Sequence, residues 1–131
     1  MRIVFVIACL LGMVSCGSSR STSKRPDILG NWNWVSTAGG FAGRTTTPET
    51  SHSSRQLQIT ADSIYMYQSG ELTSVSAYQL TRADSQVQRK AGWAFEVNDR
   101  RTFVVRRDST LVLSEDCWDC FTHTYHRMPE R

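Results

Sequence analysis

Cys117-Trp118-Asp119-Cys120, followed by His123 and His126, carries the densest reactive chemistry in this chain. Three uses fit those residue types. A disulfide would brace a tight turn, and so short a loop removes little chain entropy, so it would rigidify the turn more than the fold. A redox Cys-x-x-Cys usually has its first thiol activated at a helix N-terminus, whereas a strand pattern follows here. A Cys2His2 metal site needs four converging ligands. His123 and His126, three apart, point to opposite faces of a strand. The pattern favours the Cys117–Cys120 disulfide and leaves the other two readings open. No Gly-x-Ser-x-Gly elbow, His-Glu-x-x-His pair or phosphate-binding Gly-rich loop is present. The carboxylates Asp62, Asp99, Asp108 and Asp116 fall in turns. The expectation is a protein that is not an enzyme, with no catalytic residues, no metal and no cofactor.

These residues must be positioned by strands. Leu29-Gly30-Asn31-Trp32-Asn33-Trp34-Val35 places two indoles on one strand face, a large apolar load that needs a core to receive it. The long Gly/Thr/Ser segment 36–54 has no apolar period and reads as a functional loop, with Phe41 its large apolar residue. Alternation then takes over, in Leu57/Ile59, Ile64/Met66, Leu72 to Thr81, Trp93/Phe95/Val97, Phe103/Val105, Leu111/Leu113 and Phe121/His123/Tyr125/Arg127. Turn residues such as Ser69-Gly70 and Asn98-Asp99 separate the runs. Segment 82–90 is polar and indistinct. The prediction is all-β: a small antiparallel up-and-down barrel of about eight strands. Its inward side chains include Trp32, Trp34, Met66, Tyr78, Trp93, Phe95, Phe121 and Tyr125, so the interior is largely filled. Any cavity sits at one end, near the Gly-rich loop. Candidate ligand contacts there are Phe41, Tyr78, Trp93, Phe121, His123 and Tyr125.

The N-terminal segment sets the address. Met1-Arg2 precedes an apolar run from Ile3 to Val14, the length of a secretory signal and too short for a stable bilayer span. Ser15-Cys16 closes it, and Gly17 to Pro26 is small, polar and basic, as a tether should be. The charges are 15 basic against 12 acidic. With Arg20, Lys24 and Arg25 in the tether, the folded part is near neutral, and no nucleic-acid surface is indicated.

Two resemblances follow from these residues. Leu11-Gly12-Met13-Val14-Ser15-Cys16 resembles the lipobox of bacterial lipoproteins, with Met13 where Leu is commonest. The resemblance implies cleavage before Cys16 and diacylation of its thiol. The domain reading is therefore signal peptide 1–15, lipidated tether 16–28 and folded domain 29–131. Gly30-x-Trp32 opening a meander that Arg127 closes resembles the lipocalin-like (calycin-type) architecture. With Gly39-Gly40-Phe41-Ala42-Gly43, Tyr67-Gln68-Ser69-Gly70-Glu71-Leu72 and Thr124-Tyr125-His126-Arg127, the chain is similar to small lipocalin-like lipoproteins of Bacteroidetes-type bacteria. That resemblance implies a structural Arg127–Trp32 stack. It also implies a small hydrophobic ligand. The crowded interior points instead to a structural or interaction module that presents Tyr65/Tyr67 or the Gly-rich loop to an envelope protein partner. Gly17 after Cys16 gives no inner-membrane retention signal of the enteric type, so the expected address of the lipid-anchored chain is the outer membrane, facing the periplasm. The intact mass of protein extracted from its own membranes is expected to correspond to a chain that starts at Cys16 and carries acyl chains. A mass equal to that of an unmodified chain removes the anchor.

Overall fold

The computed structural model describes residues 24–130. The leader, Cys16 and the first part of the tether lie outside them. The elements are β1 (Gly30–Gly39), β2 (Arg44–Thr46), α1 (Pro48–Ser51), β3 (Arg55–Ile59), β4 (Ser63–Gln68), β5 (Glu71–Ala77), β6 (Gln79–Ser85), β7 (Lys90–Val97), β8 (Arg100–Arg107), β9 (Thr110–Glu115) and β10 (Phe121–Arg127). Nine strands pair in the order β5-β4-β3-β1-β10-β9-β8-β7-β6, with β2 added to β1. The fold is all-β, and this antiparallel sheet curls into a half-barrel.

The two outermost strands are consecutive in the chain. Tyr78 alone separates β5 from β6. Its N–H donates to the Asp62 carbonyl at 3.0 Å, which extends the β4–β5 ladder by one residue. Gln79 already pairs with Glu96 of β7. The chain therefore passes from one sheet edge to the other at a single residue. With β5 and β6 counted as one bent strand, the strand positions match the eight expected from the sequence. No ladder joins β5 to β6 in the sheet order, because they lie end to end rather than side by side.

Strand pairing follows the side-chain alternation. Trp32 and Trp34 pack into one buried cluster with Ile28, Leu57, Ile59, Tyr78, Phe95, Val104, Leu111, Leu113 and Tyr125. Trp32, Ile59 and Leu111 are fully buried. The tight hairpins use the residues their backbone demands. Ser69-Gly70 and Asn98-Asp99 both have positive φ at each central position, where Gly, Asn and Asp are tolerated best.

The segment 36–54 is more ordered than its composition predicts. β1 runs on to Gly39 and pairs with β2. Thr47 caps α1, with Pro48 at the first helical position and a reciprocal Thr47–Thr50 capping pair. Met66 and Phe121, expected inside, are exposed. Met66 lies beside a register shift in the β4–β5 pairing, and Phe121 starts β10 at the rim. Trp93 is half-buried, and the Arg82 guanidinium sits 5.6 Å from its ring centroid.

Arg127 stacks on Trp32, 4.6 Å from guanidinium carbon to ring centroid. The Trp32 indole N–H donates to the Ile28 carbonyl at 2.9 Å. Asp27 accepts from Arg106 (3.2 Å) and lies 3.8 Å from Arg127, so the end of the tether is clamped beneath the same strand ends. Trp32→Ala is expected to lower unfolding free energy by about 3–5 kcal/mol. Arg127→Ala should cost about 0.5–2 kcal/mol. Urea denaturation checks both, and equal losses would contradict a Trp-centred core.

Candidate functional site

A line of polar groups runs out of the core. It begins at a β-bulge. β1 pairs Trp34 with Tyr125 but Ser36 with Thr124, so Val35 is an extra residue. Beyond a bulge the alternation shifts by one, and Thr37 rather than Ser36 joins the Trp34 face. Thr37 is buried. Its Oγ1 accepts from Trp34 Nε1 at 2.9 Å and lies 2.8 Å from His123 Nδ1. His123 Nε2 in turn faces Glu115 Oε1 at 3.7 Å. Glu115 Oε2 accepts from the Phe121 backbone N–H at 3.3 Å. Burial holds the His123 imidazole below the usual histidine range, and the facing Glu115 carboxylate opposes that shift without cancelling it.

The Cys117–Cys120 disulfide forms, with Cα atoms 5.5 Å apart, and closes the β9–β10 turn. Glu115 is gathered with both sulfurs, one ligand atom from each lying within 4.8 Å of the others. His126 is exposed on the opposite face, as the strand spacing predicts. Trp118 projects from the disulfide turn and is 77% exposed. The neighbouring β1–β2 turn carries Phe41, 98% exposed. The two turns meet at backbone level, where the Gly40 N–H donates to the Cys120 carbonyl at 3.5 Å. Phe121 (45% exposed) packs beside Gly40. Three aromatic side chains thus gather at one end of the sheet. Asp27, at the end of the tether, lies at the other end of β1 and β10.

An open groove of about 1170 Å³ adjoins this end. Its walls come from Tyr78 and its neighbours, the β7–β8 turn and the end of β9. The carboxylates of Asp62, Glu96, Asp99, Glu115 and Asp116 line it, against the guanidiniums of Arg100 and Arg101. Arg101 is already paired with Glu96 at 3.5 Å and Asp116 at 3.7 Å. The tip of the β6–β7 hairpin leans on the same corner, with the Ser85 hydroxyl bonded to Asp116 and the Gln88 amide to the Glu115 carbonyl.

The six candidate ligand contacts are dispersed. Tyr78 lines the groove, buried and edge-on to Phe95 at 4.8 Å, with its hydroxyl donating to the Thr60 carbonyl at 2.7 Å. Tyr125 is a core residue, Trp93 lies under Arg82, and His123 belongs to the polar line. Phe41 and Phe121 are on the rim. Glu115, Thr37 and Arg55 escape the sequence reading. Arg55 covers Trp34 at 4.5 Å, as Arg127 covers Trp32. A carboxylate in a strand carries no sequence signal of partnership, and Thr37 is aimed inward by a bulge that the composition does not announce. No protein-family model, curated protein or solved structure matches this chain.

Burial raises the Tyr125 hydroxyl to about 12. An unfolded tyrosine ionises near ~10, so the unfolded state gives up its proton first. Stability is therefore expected to be intact below pH 10 and to fall, by on the order of 2 kcal/mol, as pH rises towards 12. Tyr125→Phe should flatten that alkaline limb in chemical denaturation run at several pH values. An unchanged limb would mean that Tyr125 is not the group responsible.

Proposed function

We propose that this chain is a lipid-anchored interaction module of the cell envelope: a filled, lipocalin-like half-barrel that presents an aromatic rim to another envelope protein. The calycin-type reading is supported by Gly30-x-Trp32 under the Arg127 guanidinium. The anchor reading rests on the lipobox-like sequence around Cys16.

The observation that carries the functional reading is where the apolar surface lies. The core is filled by side chains, and of the exposed large apolar side chains, which include Leu72 and Val75 on β5, Phe41 and Trp118 stand furthest into water, on adjoining turns. Burying a side chain such as Phe contributes about 1.5–3 kcal/mol, and aromatic side chains dominate interface energetics. The rim is also remote along β1 and β10 from Asp27, so a tether at that end leaves it free to meet a partner. A hydrophobic carrier has less behind it. The large groove is lined by carboxylates, and an apolar ligand there would strip water from charged groups without replacing it.

The test places a photoreactive amino acid at Phe41 or Trp118, and at Tyr65 as a control, in the full chain in its own membranes. One discrete cross-linked protein is expected from both rim positions and none from Tyr65. Phe41→Ser combined with Trp118→Ser should abolish the product and leave thermal unfolding within a few degrees of wild type. Native mass spectrometry that finds a small-molecule adduct, with no cross-link at the rim, would establish a carrier instead.

A further inference from the structure

We propose that the reduced Cys117–Cys120 pair, with Glu115 and His123, forms a zinc-type site, so that the β9–β10 turn exists in a disulfide form and a metal-bound form. The geometry departs from the Cys2His2 arrangement that strand spacing rules out. Glu115 takes the place that His126 cannot fill. Its carboxylate lies with the two sulfurs inside a 4.8 Å group, and its Oε1 faces His123 Nε2 at 3.7 Å. Two oxygen or nitrogen ligands about 2.0–2.1 Å from a tetrahedral zinc stand a little over 3 Å apart, so the Glu115–His123 pair needs only a small inward movement, whereas His123 stands outside the 4.8 Å group and the sulfurs must move towards it once reduced. Reduction also frees the sulfurs to separate, which metal ligation requires at about 2.3 Å per Zn–S bond.

Two further observations point the same way. A disulfide gains nothing from a carboxylate beside it. After reduction the Glu115 carboxylate favours protonated thiols, and a divalent cation lets both ionise beside it. Also, His123 Nδ1 is engaged by the Thr37 hydroxyl at 2.8 Å, which leaves Nε2 turned towards Glu115. A ligating imidazole is oriented in just this way by a partner on its other nitrogen. Glu115, Cys117 and Cys120 line the adjoining groove, and the Glu115 and His123 side chains are 40% and 23% exposed, so an ion has a path in.

The chemistry balances. A dithiol reductant transfers two electrons and two protons to the Cys117–Cys120 bond and leaves as its own disulfide. The S–S bond breaks and two thiols form. A divalent zinc ion then displaces the two thiol protons and binds the thiolates, the Glu115 carboxylate and neutral His123 Nε2. A disulfide oxidant takes the two electrons back by thiol–disulfide exchange and leaves as its own dithiol with two protons from water; the Cys117–Cys120 bond re-forms and the ion is released. This inference does not depend on the rim docking a partner.

The experiment uses the full chain, reduced with a phosphine that competes weakly for zinc, and titrates Zn²⁺ against a chromophoric chelator. The reduced protein is expected to bind one equivalent, and the oxidised protein none. Co²⁺ should give thiolate charge-transfer absorption and the intense visible bands of tetrahedral coordination. Glu115→Gln and His123→Gln should each weaken binding by more than 10-fold, and Thr37→Val by roughly 10-fold as an outer partner of the ligand. Cys117→Ser should abolish the charge-transfer band, and His126→Gln should leave affinity unchanged. Circular dichroism confirms that each variant is folded before titration. Equal binding by oxidised and reduced chains would overturn the proposal. So would full affinity in both Glu115→Gln and His123→Gln, or no binding by the folded, reduced wild type.

Discussion

Two indoles buried on one face of β1 constrain what surrounds them. A buried N–H left without an acceptor costs about 1–3 kcal/mol, so each ring needs its own partner. Trp32 takes the Ile28 carbonyl, which fixes the path by which the chain approaches β1. Trp34 takes the Thr37 hydroxyl, and that bond exists only because Val35 bulges and turns Thr37 inward. Each ring is then covered by a guanidinium from a different neighbour, Arg127 of β10 over Trp32 and Arg55 of β3 over Trp34. Both strands that flank β1 are thereby committed to it by side-chain contacts as well as by their ladders. The sheet order around β1 has little freedom left.

The bulge has a second consequence. By aiming Thr37 at His123, it joins the buried Trp34 indole N–H to the charged end of β9 through Thr37, His123 and Glu115. The sheet thereby acquires two unlike ends. At one, Asp27 is gripped by Arg106 and Arg127, which fixes the last residues of the tether to the fold. At the other, a carboxylate meets two sulfurs beside a groove and faces an imidazole. Structural charge sits at the first end and reactive chemistry at the second.

The alternating runs were legible in the sequence because period 2 is a direct consequence of the pleat. They marked most of the strands from Leu57 onward, though not the Arg82 to Ser85 half of β6, together with the shared face of Trp32 and Trp34 and the opposite faces of His123 and His126. The stack of Arg127 on Trp32 was reached through resemblance rather than pattern. Three features were not legible. The bulge at Val35 shifts the register, and no residue type marks it. Segment 36–54 folds through β2 pairing and a Thr47 cap, which its Gly/Thr/Ser composition conceals. Glu115 looks like any strand-end carboxylate until β10 brings His123 alongside. The ligand contacts inferred from bulky inward residues are scattered for a related reason. Bulk predicts burial, and buried Tyr78 and Tyr125 are occupied by neighbours and hydrogen bonds rather than by open space.

The rim itself is held by a backbone contact. Gly39 has φ +129°, and a Cβ there would collide with the Cys120 carbonyl. The β1–β2 turn and the disulfide turn therefore approach as closely as main chain allows, and only glycine permits it. The Gly40–Cys120 hydrogen bond and the Gly39–Phe121 pairing tie the same two turns. Phe41 and Trp118 are thus loose side chains on supports that are held together. Binding costs less when the backbone of a contact surface is already fixed, since only side-chain rotamers remain to be ordered. The disulfide completes that support from the β9–β10 side. Whatever opens the Cys117–Cys120 bond also changes the backbone on which Trp118 stands, so the chemistry of the turn and the shape of the rim are one variable rather than two.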